Sequence, residues 1–168
     1  MGNIRKPNRL PGYDYSTEGR YFVTICAKGH AALFGQVTVG PSIARLPEVS
    51  LSAEGKAVEA AILGITCHYP SVQVEQFVIM PNHVHILLSI CEESRCGDGA
   101  PGKSRPTGAA IPQIVSSLKR FTNRKAGMDL WQGGYYDHII RDEQDFLTRW
   151  QYIENNPAAW LDDDYYVE

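Results

Sequence analysis

Two histidines separated by one residue, His83 and His85, offer the clearest chemistry in the sequence. They open a β-branched, aliphatic run, residues 83–90, which is typical of a β-strand. Side chains two residues apart point to the same face of a strand, so both imidazoles would project together with Leu87. Two neutral imidazoles on a rigid strand form half of a divalent-metal site. The rest of the chain must supply the other half.

The residues around the pair narrow its chemistry. Pro81-Asn82 is a turn signal, which predicts adjacent strands over 73–80 and 83–90 and puts the histidines at a strand end. A histidine-triad hydrolase would need a third alternate histidine, where Leu87 stands. A two-histidine phosphoesterase would need His-x-Thr or His-x-Ser twice, and the sequence has neither.

A third ligand and a nucleophile can come from the last predicted helix, which begins near Asp142 and is stopped by Pro157. Tyr152 and Asn156 are four residues apart and therefore share a face of this helix. If that face packs towards the histidines, two imidazoles, an amide oxygen and a phenol surround one metal. A phosphate oxygen could be polarised there while Tyr152 attacks the phosphorus.

Length and composition describe one domain. At 168 residues, 43% hydrophobic and 21% charged, the chain is long enough for a real core. No apolar run reaches the roughly 18 residues that span a membrane, and no signal-peptide core follows Met1. We therefore expect a cytoplasmic protein without a membrane partner. Cys26 and Cys67 are expected to be buried thiols, and a disulfide or zinc site at Cys91 and Cys96 is an alternative.

Charge is unevenly distributed although the net charge is only −3. Between residues 102 and 141 there are seven basic and two acidic residues, whereas the tail 161–168 carries Asp162, Asp163, Asp164 and Glu168. A basic face and an acidic tail fit this pattern. The basic group on the second predicted helix has two open interpretations, a solvated helix face or a phosphate contact: Lys119, Arg120, Arg124 and Lys125.

The order of elements predicts the fold. An extended arm over 1–20 precedes strands at 21–27 and 33–39, a helix capped by Ser52 through Cys67, and the two strands around the turn. A flexible insert at 91–108, a helix at 110–125, a strand at 130–140 and the last helix follow. This order indicates an α+β ferredoxin-like sandwich, in which an antiparallel sheet has its helices on one face.

Several stretches together resemble a known family. Residues 80–87, Met-Pro-Asn-His-Val-His-Ile-Leu, are similar to the His-hydrophobic-His (HUH) motif of single-tyrosine transposases. Four more resemble the REP-associated tyrosine transposases: 9–16 (Arg-Leu-Pro-Gly-Tyr-Asp-Tyr-Ser), 21–25 (Tyr-Phe-Val-Thr-Ile), 131–141 (Trp-Gln-Gly-Gly-Tyr-Tyr-Asp-His-Ile-Ile-Arg) and 152–157 (Tyr-Ile-Glu-Asn-Asn-Pro). The matches run from Arg9 to Trp160 in the family's order.

The resemblance implies a HUH endonuclease-like fold and cleavage and joining of single-stranded DNA at imperfect, REP-like palindromic hairpins. It makes Tyr152 the nucleophile and His83, His85 and Asn156 the ligands of Mg²⁺ or Mn²⁺. Attack would give a 5′-phosphotyrosine and free a 3′-hydroxyl. The resemblance leaves a monomer or a homodimer open. The residues that we expect to contact DNA are Arg5, Lys6, Arg9, Lys119, Arg120, Arg124, Lys125, Tyr135, Tyr136 and Arg141.

Two other functions remain open on the sequence. One is a DNA-hairpin binding module of the same fold without useful chemistry, and the other is a small-molecule metal hydrolase that uses the two histidines with water. The basic bias of 102–141 counts against the hydrolase. Tyr135 and Tyr136 would stack on bases or pack, and His138 is expected to be a packed strand residue. Tyr165 and Tyr166 stand in an acidic tail that would repel DNA, which disfavours a catalytic role.

Overall fold

The computed structural model describes residues 17–38, 47–91 and 110–166. Most of the predicted arm and nearly all of the predicted insert fall outside these ranges, as do Arg5, Lys6, Arg9 and Cys96. Within these ranges the strands are β1 Gly19–Cys26, β2 Gly35–Thr38, β3 Glu48–Leu51, β4 Val72–Ile79, β5 His83–Ile90 and β6 Tyr136–Ile140. The helices are α1 Ala53–Leu63, α2 Ile65–His68, α3 Ala110–Ala126 and α4 Glu143–Asn155, with 3₁₀ turns at Lys28–His30 and Trp160–Asp162.

A four-stranded antiparallel sheet organises the chain, in the order β4-β5-β1-β6. The two central strands, β1 and β5, pair along their whole length, from Gly19 opposite Ile90 to Cys26 opposite His83. This order and the helices between the strands confirm the ferredoxin-like α+β prediction.

The two faces of the sheet are both covered. Alternate residues such as Val23, Val84 and Ile86 point into the main core, where they meet α1 and α3. The other face carries Phe22 and Leu87, which pack with Ile153 of α4 in a second cluster. The prediction placed the helices on one face. Helices α1 and α3 lie there, whereas α4 covers the opposite face because its apolar stripe meets apolar strand residues there.

Local chemistry explains where the first helix starts and stops. The Ser52 side chain accepts a hydrogen bond from the Gly55 backbone N–H, as predicted for its cap, at 3.0 Å. Gly55 must be glycine because a Cβ there would collide with the Phe34 carbonyl. The single predicted helix is interrupted at Gly64, so α2 is a separate turn. The burial predicted for Cys67 is wrong, since this turn leaves it exposed, while Cys26 is buried as predicted.

Two strand predictions change in the structure. The short second strand pairs with β3 in a separate two-stranded sheet, and β3 lies between the predicted strand at 33–39 and Ser52, where no strand was predicted. The strand predicted at 130–140 begins only at Tyr136, because the chain first makes an isolated bridge between Trp131 and Ala27 and then passes the glycine pair 133–134. Among the described residues, no helix is both long and apolar enough to cross a membrane.

The main core predicts a strong contrast between two leucines. Leu88 is fully buried in the central strand β5, whereas Leu63 at the end of α1 is 62% exposed. We expect Leu88→Ala to lower the free energy of unfolding by about 2–5 kcal/mol because it opens a cavity. Leu63→Ala, the matched control, should change it by less than about 0.5 kcal/mol. Urea denaturation measures both, and equal losses would contradict this assignment of the core.

Candidate active site

The two histidines lie side by side on the face of the sheet that α4 covers. His83 and His85 are 0% and 1% exposed, and their ring centroids are 4.6 Å apart. The pairing of β1 with β5 puts Cys26 opposite His83 and Thr24 opposite His85. Because both histidines point away from the main core, their burial comes from α4 and from the chain that follows it.

Each imidazole is oriented through its Nδ1 atom. His83 Nδ1 is 2.9 Å from Asn82 Oδ1, and His85 Nδ1 is 2.8 Å from Thr24 Oγ1. When Nδ1 carries the proton in each ring, it donates to these oxygens and leaves the Nε2 lone pair free. Both Nε2 atoms are buried, and neither has a hydrogen-bond partner among the residues that the structure describes. Two free, buried lone pairs on neighbouring rings are what a metal ion requires.

Helix α4 brings Tyr152 and Asn156 to the histidines. The Tyr152 ring lies edge-on to His85, with 5.1 Å between centroids, and the side chain is 41% exposed. Asn156 keeps helical dihedral angles, φ −57° and ψ −44°, although Pro157 follows it. Its side chain is therefore on the Tyr152 face of the helix and is buried. Within the described ranges its Oδ1 atom has no hydrogen-bond partner.

The segment after α4 closes over the pair, which the sequence did not predict. Asn156 Nδ2 donates to Asp163 Oδ2 at 3.1 Å, and a carboxylate oxygen of Asp163 and one nitrogen of each histidine all lie within 4.8 Å of one another. The Tyr165 ring packs at a tilt of 39° against His83, with 4.6 Å between centroids. Asn82 Nδ2 donates to the Tyr165 carbonyl at 2.6 Å and so ties this segment to the turn before β5.

These residues fit a divalent metal ion. Two imidazole nitrogens and the amide oxygen of Asn156 are buried without partners in the described part of the chain, and the Asp163 carboxylate lies beside the imidazoles. Nitrogen and oxygen donors of this kind suit first-row divalent ions. Leaving such buried polar atoms unpaired costs about 1–3 kcal/mol each, which an ion would recover. The structure thus brings the three predicted ligands, His83, His85 and Asn156, together with Asp163.

Burial sets the ionisation of the site. It lowers the pKa of His83 to about 4, although the nearby Asp163 carboxylate acts in the opposite direction and raises this pKa. Burial lowers the pKa of His85 well below its usual value, and the neighbouring His83 lowers it further. Both rings are therefore neutral at pH 7, the form that binds metals. Burial, with Asp163 next, raises the pKa of the Tyr152 phenol, so this hydroxyl keeps its proton in the metal-free protein.

The residues predicted to contact DNA are distributed over different surfaces. Arg120, Arg124 and Lys125 are exposed on α3, which covers the opposite face of the sheet from Tyr152. Arg120 and Arg124 line a groove of about 670 Å³ between α3 and the α1–α2 turn. Lys119 instead donates to the carbonyls of Gln132 and Gly134, the latter at 2.5 Å, so it secures the glycine loop before β6.

The other residues predicted to contact DNA also differ in their exposure. Arg141 is exposed at the end of β6. Tyr136 is 52% exposed, but Tyr135 belongs to the main core at 9% exposure, so of the two only Tyr136 presents a ring for stacking. His138 is partly buried and holds Asp145 of α4 at 2.7 Å, a packing role in agreement with its prediction.

Comparison with known proteins finds relatives of the chain in sequence and in fold. No protein-family model matches it. An uncharacterised protein of Haemophilus influenzae is 36% identical over 181 residues, which cover 98% of this chain and 94% of that protein. A second Haemophilus influenzae protein, provisionally named a REP-associated tyrosine transposase, is 28% identical over 96 residues, 55% of this chain and 53% of its own length.

A solved structure of a REP-associated tyrosine transposase bound to a REP hairpin shares the fold. The TM-score is 0.58 at 19% identity, over 94% of this chain and 73% of that one. The chain therefore shares the fold of this REP-associated tyrosine transposase and is similar in sequence to a protein that carries the same name. The family resemblance predicted from the sequence is confirmed.

Four site residues were missed by the sequence analysis: Thr24, Asn82, Asp163 and Tyr165. Asn82 was interpreted only as a turn residue, although it directly precedes His83 and could reach its ring. Thr24 has no local signal, because its contact with His85 depends on the register of two strands 61 residues apart in sequence. The acidic composition of the tail predicted only repulsion of DNA, so it gave no signal that Asp163 or Tyr165 belongs to the site.

The orientation of His85 provides a test of metal binding. Thr24→Val removes the hydroxyl that accepts from His85 Nδ1 and keeps the side-chain volume, so we expect affinity for Mn²⁺ to fall about 10–100-fold. Isothermal titration calorimetry measures the affinity. Thr38→Val is the matched control, since the Thr38 hydroxyl bonds only the Glu48 carbonyl in the small sheet. Unchanged affinity in Thr24→Val would contradict this orienting role.

The lowered histidine pKa values predict acid sensitivity of the metal-free protein. Between about pH 6.5, the ordinary histidine pKa, and pH 4, near the value of about 4 for folded His83, the unfolded chain binds more protons. Stability should therefore fall with decreasing pH in this window, by up to about 1.4 kcal/mol per pH unit for each histidine.

Denaturation with a chelator present, at several pH values, measures this slope. His83→Gln should make it shallower, and His68→Gln, at an exposed histidine, should leave it unchanged. A slope that stays the same in His83→Gln would show that other groups cause the acid sensitivity.

Proposed function

We propose that this protein is a metal-dependent transesterase that cleaves and transfers single-stranded DNA at hairpin-forming repeats, through a 5′-phosphotyrosine on Tyr152. One observation carries the proposal. The partly exposed Tyr152 ring lies edge-on to His85, and the His83 ring lies next to that of His85. The Nε2 atoms of both histidines are buried and have no hydrogen-bond partner among the described residues. A water-using hydrolase has no need of a phenol at this position.

The residues divide the work of this reaction. His83, His85 and Asn156 would hold Mg²⁺ or Mn²⁺, and the Asp163 carboxylate is close enough to complete the set. A bound ion supplies Lewis acidity at the phosphate and neutralises its charge. Asn82 and Thr24 hold the two rings so that Nε2 faces the site.

Tyr152 supplies the nucleophile. Its oxygen bonds to phosphorus as the bond from phosphorus to the 3′-oxygen breaks, the phenolic proton passes to solvent and the departing 3′-oxygen gains a proton. The phosphodiester is exchanged for a phosphotyrosine ester of similar energy, so rejoining requires no nucleotide cofactor. Because burial raises the pKa of Tyr152 in the metal-free protein, attack depends on positive charge brought to the site.

Hairpin DNA is the proposed substrate because the related transposase structure contains a REP hairpin. The exposed cations Arg120, Arg124 and Lys125 on α3 and Arg141 after β6 would contact phosphates away from the cleavage point. Such contacts predict binding that weakens with increasing salt. The exposed Tyr136 offers a ring on which an unpaired base could stack.

A cleavage assay tests the proposal. The protein is incubated with labelled single-stranded hairpin DNA from repeats near its own gene, with Mn²⁺ or Mg²⁺, and examined on a denaturing gel. We expect a metal-dependent protein–DNA adduct that is absent in Tyr152→Phe, while that variant keeps DNA binding. Tyr69→Phe is the matched control, because it removes a hydroxyl that bonds Ser117 at the α3 side of the sheet.

The alternatives give different results in this assay. Hairpin binding without any adduct, across several repeats and both metals, would indicate a binding module instead. Metal-dependent turnover of small phosphoesters that is unaffected by Tyr152→Phe would indicate a hydrolase. An adduct that persists in Tyr152→Phe would show that another residue is the nucleophile.

A further inference from the structure

Arg149 is a cation that the sequence analysis left without a function. It lies on α4, one turn before Tyr152, and its guanidinium carbon is 5.4 Å from the centroid of the Phe22 ring. The same Phe22 ring stacks on His85 at 5.1 Å and meets Tyr152 edge-on at 6.0 Å. One aromatic ring therefore contacts the cation, the nucleophile and a proposed metal ligand.

A series of polar contacts fixes the position of Arg149. Its Nε lies 3.5 Å from Asp145 Oδ1, one turn earlier on the helix. Asp145 is itself fixed, since His138 Nε2 lies 2.7 Å from its Oδ2 and the Arg141 backbone N–H donates to the same oxygen at 3.3 Å. The strand β6 thus positions the carboxylate, and the carboxylate positions the arginine.

Apart from the ion pair of its Nε with Asp145, the guanidinium has donors left for a ligand. Within the described parts of the chain Arg149 donates no hydrogen bond, and its buried Nε is without a hydrogen-bond partner. The side chain is 33% exposed, so a ligand can reach it. A guanidinium has five N–H donors in a planar fork that matches two oxygens of a phosphate.

We infer that Arg149 binds the non-bridging oxygens of the phosphate that Tyr152 attacks, and that it is a further catalytic residue. This inference rests on the proposed function. As the bond from the Tyr152 oxygen to phosphorus forms and the bond to the 3′-oxygen breaks, negative charge spreads over the phosphate oxygens. A fixed cation beside the nucleophile stabilises that charge, and its donors orient the phosphate for attack.

The competing explanation is that Arg149 only packs on Phe22 and pairs with Asp145. The chain contains a matched case for this explanation. Arg20 lies 4.2 Å from the Phe146 ring centroid and pairs with Glu143 at 2.8 Å, on the same sheet and the same helix. Its contacts are of the same types, but among the described residues they include neither Tyr152 nor the histidines. Arg20→Gln therefore removes the structural contribution alone.

The test compares Arg149→Gln, Arg149→Lys and Arg20→Gln under single turnover on a hairpin substrate with Mn²⁺. The substrate is made twice, with an ordinary phosphodiester and with an uncharged methylphosphonate at the cleaved position. Affinity for both is also measured in a Tyr152→Phe background, where no cleavage occurs. Circular dichroism and thermal unfolding show that each variant is folded.

We expect Arg149→Gln to slow adduct formation on the phosphodiester by about 10²–10³-fold. Arg149→Lys should recover part of the rate, because it restores the charge without the planar fork. On the methylphosphonate the loss caused by Arg149→Gln should nearly disappear, and Arg20→Gln should match the wild type on both substrates. In the Tyr152→Phe background, Arg149→Gln should weaken binding of the charged substrate about tenfold and leave the neutral one unchanged.

Equal losses on the charged and neutral substrates, in rate and in affinity, would overturn the inference and leave Arg149 a packing residue. An equal loss in Arg20→Gln would do the same. A wild-type protein that forms no adduct on any hairpin overturns the proposed function, and this role with it. An adduct that forms in the wild type and in Arg149→Gln at the same rate overturns this role alone.

Discussion

The antiparallel pairing of β1 with β5 is the constraint on which the site depends. It puts Thr24 against His85, and it places Phe22 beside the same ring. A shift of one residue in this register would turn every side chain of β5 to the other face. His83 and His85 would then enter the main core, and Val84 would face α4. The continuous apolar packing of alternate residues therefore fixes the chemistry indirectly, by fixing the register.

This arrangement costs free energy because it buries several polar atoms. The Nε2 atoms of both histidines and the Oδ1 atom of Asn156 are buried and make no hydrogen bond to any described residue, although most buried polar groups in proteins are paired. Their surroundings are well ordered, since Nδ1 of each histidine is hydrogen-bonded. In each ring Nδ1 is held by a hydrogen bond, while Nε2 has no partner among the described residues. This combination is typical of a ligand-binding centre.

Charge is arranged differently on the two faces of the sheet. The exposed cations of α3 lie on one face, and the face with the histidines combines Asp163 with Arg149 around Tyr152. Long-range attraction of a polyanion and stabilisation of charge at one phosphate are separate tasks with different requirements. Exposed, mobile cations suffice for the first, whereas the second requires a cation held by fixed neighbours, as Asp145 and His138 hold Arg149.

The sequence by itself determined the fold class, the alternation that separates His83 and His85 from Val84 and Ile86, and the helical spacing that gives Tyr152 and Asn156 one face. These follow from local periods of two and of 3.6 residues, which any reader of the chain can count. Only the tertiary structure decided that α4 covers the face opposite α1 and α3, that Thr24 meets His85, and that Asp163 returns to the histidines. Such contacts join residues far apart in sequence, and they depend on strand register and on which apolar faces find each other, which local patterns do not specify.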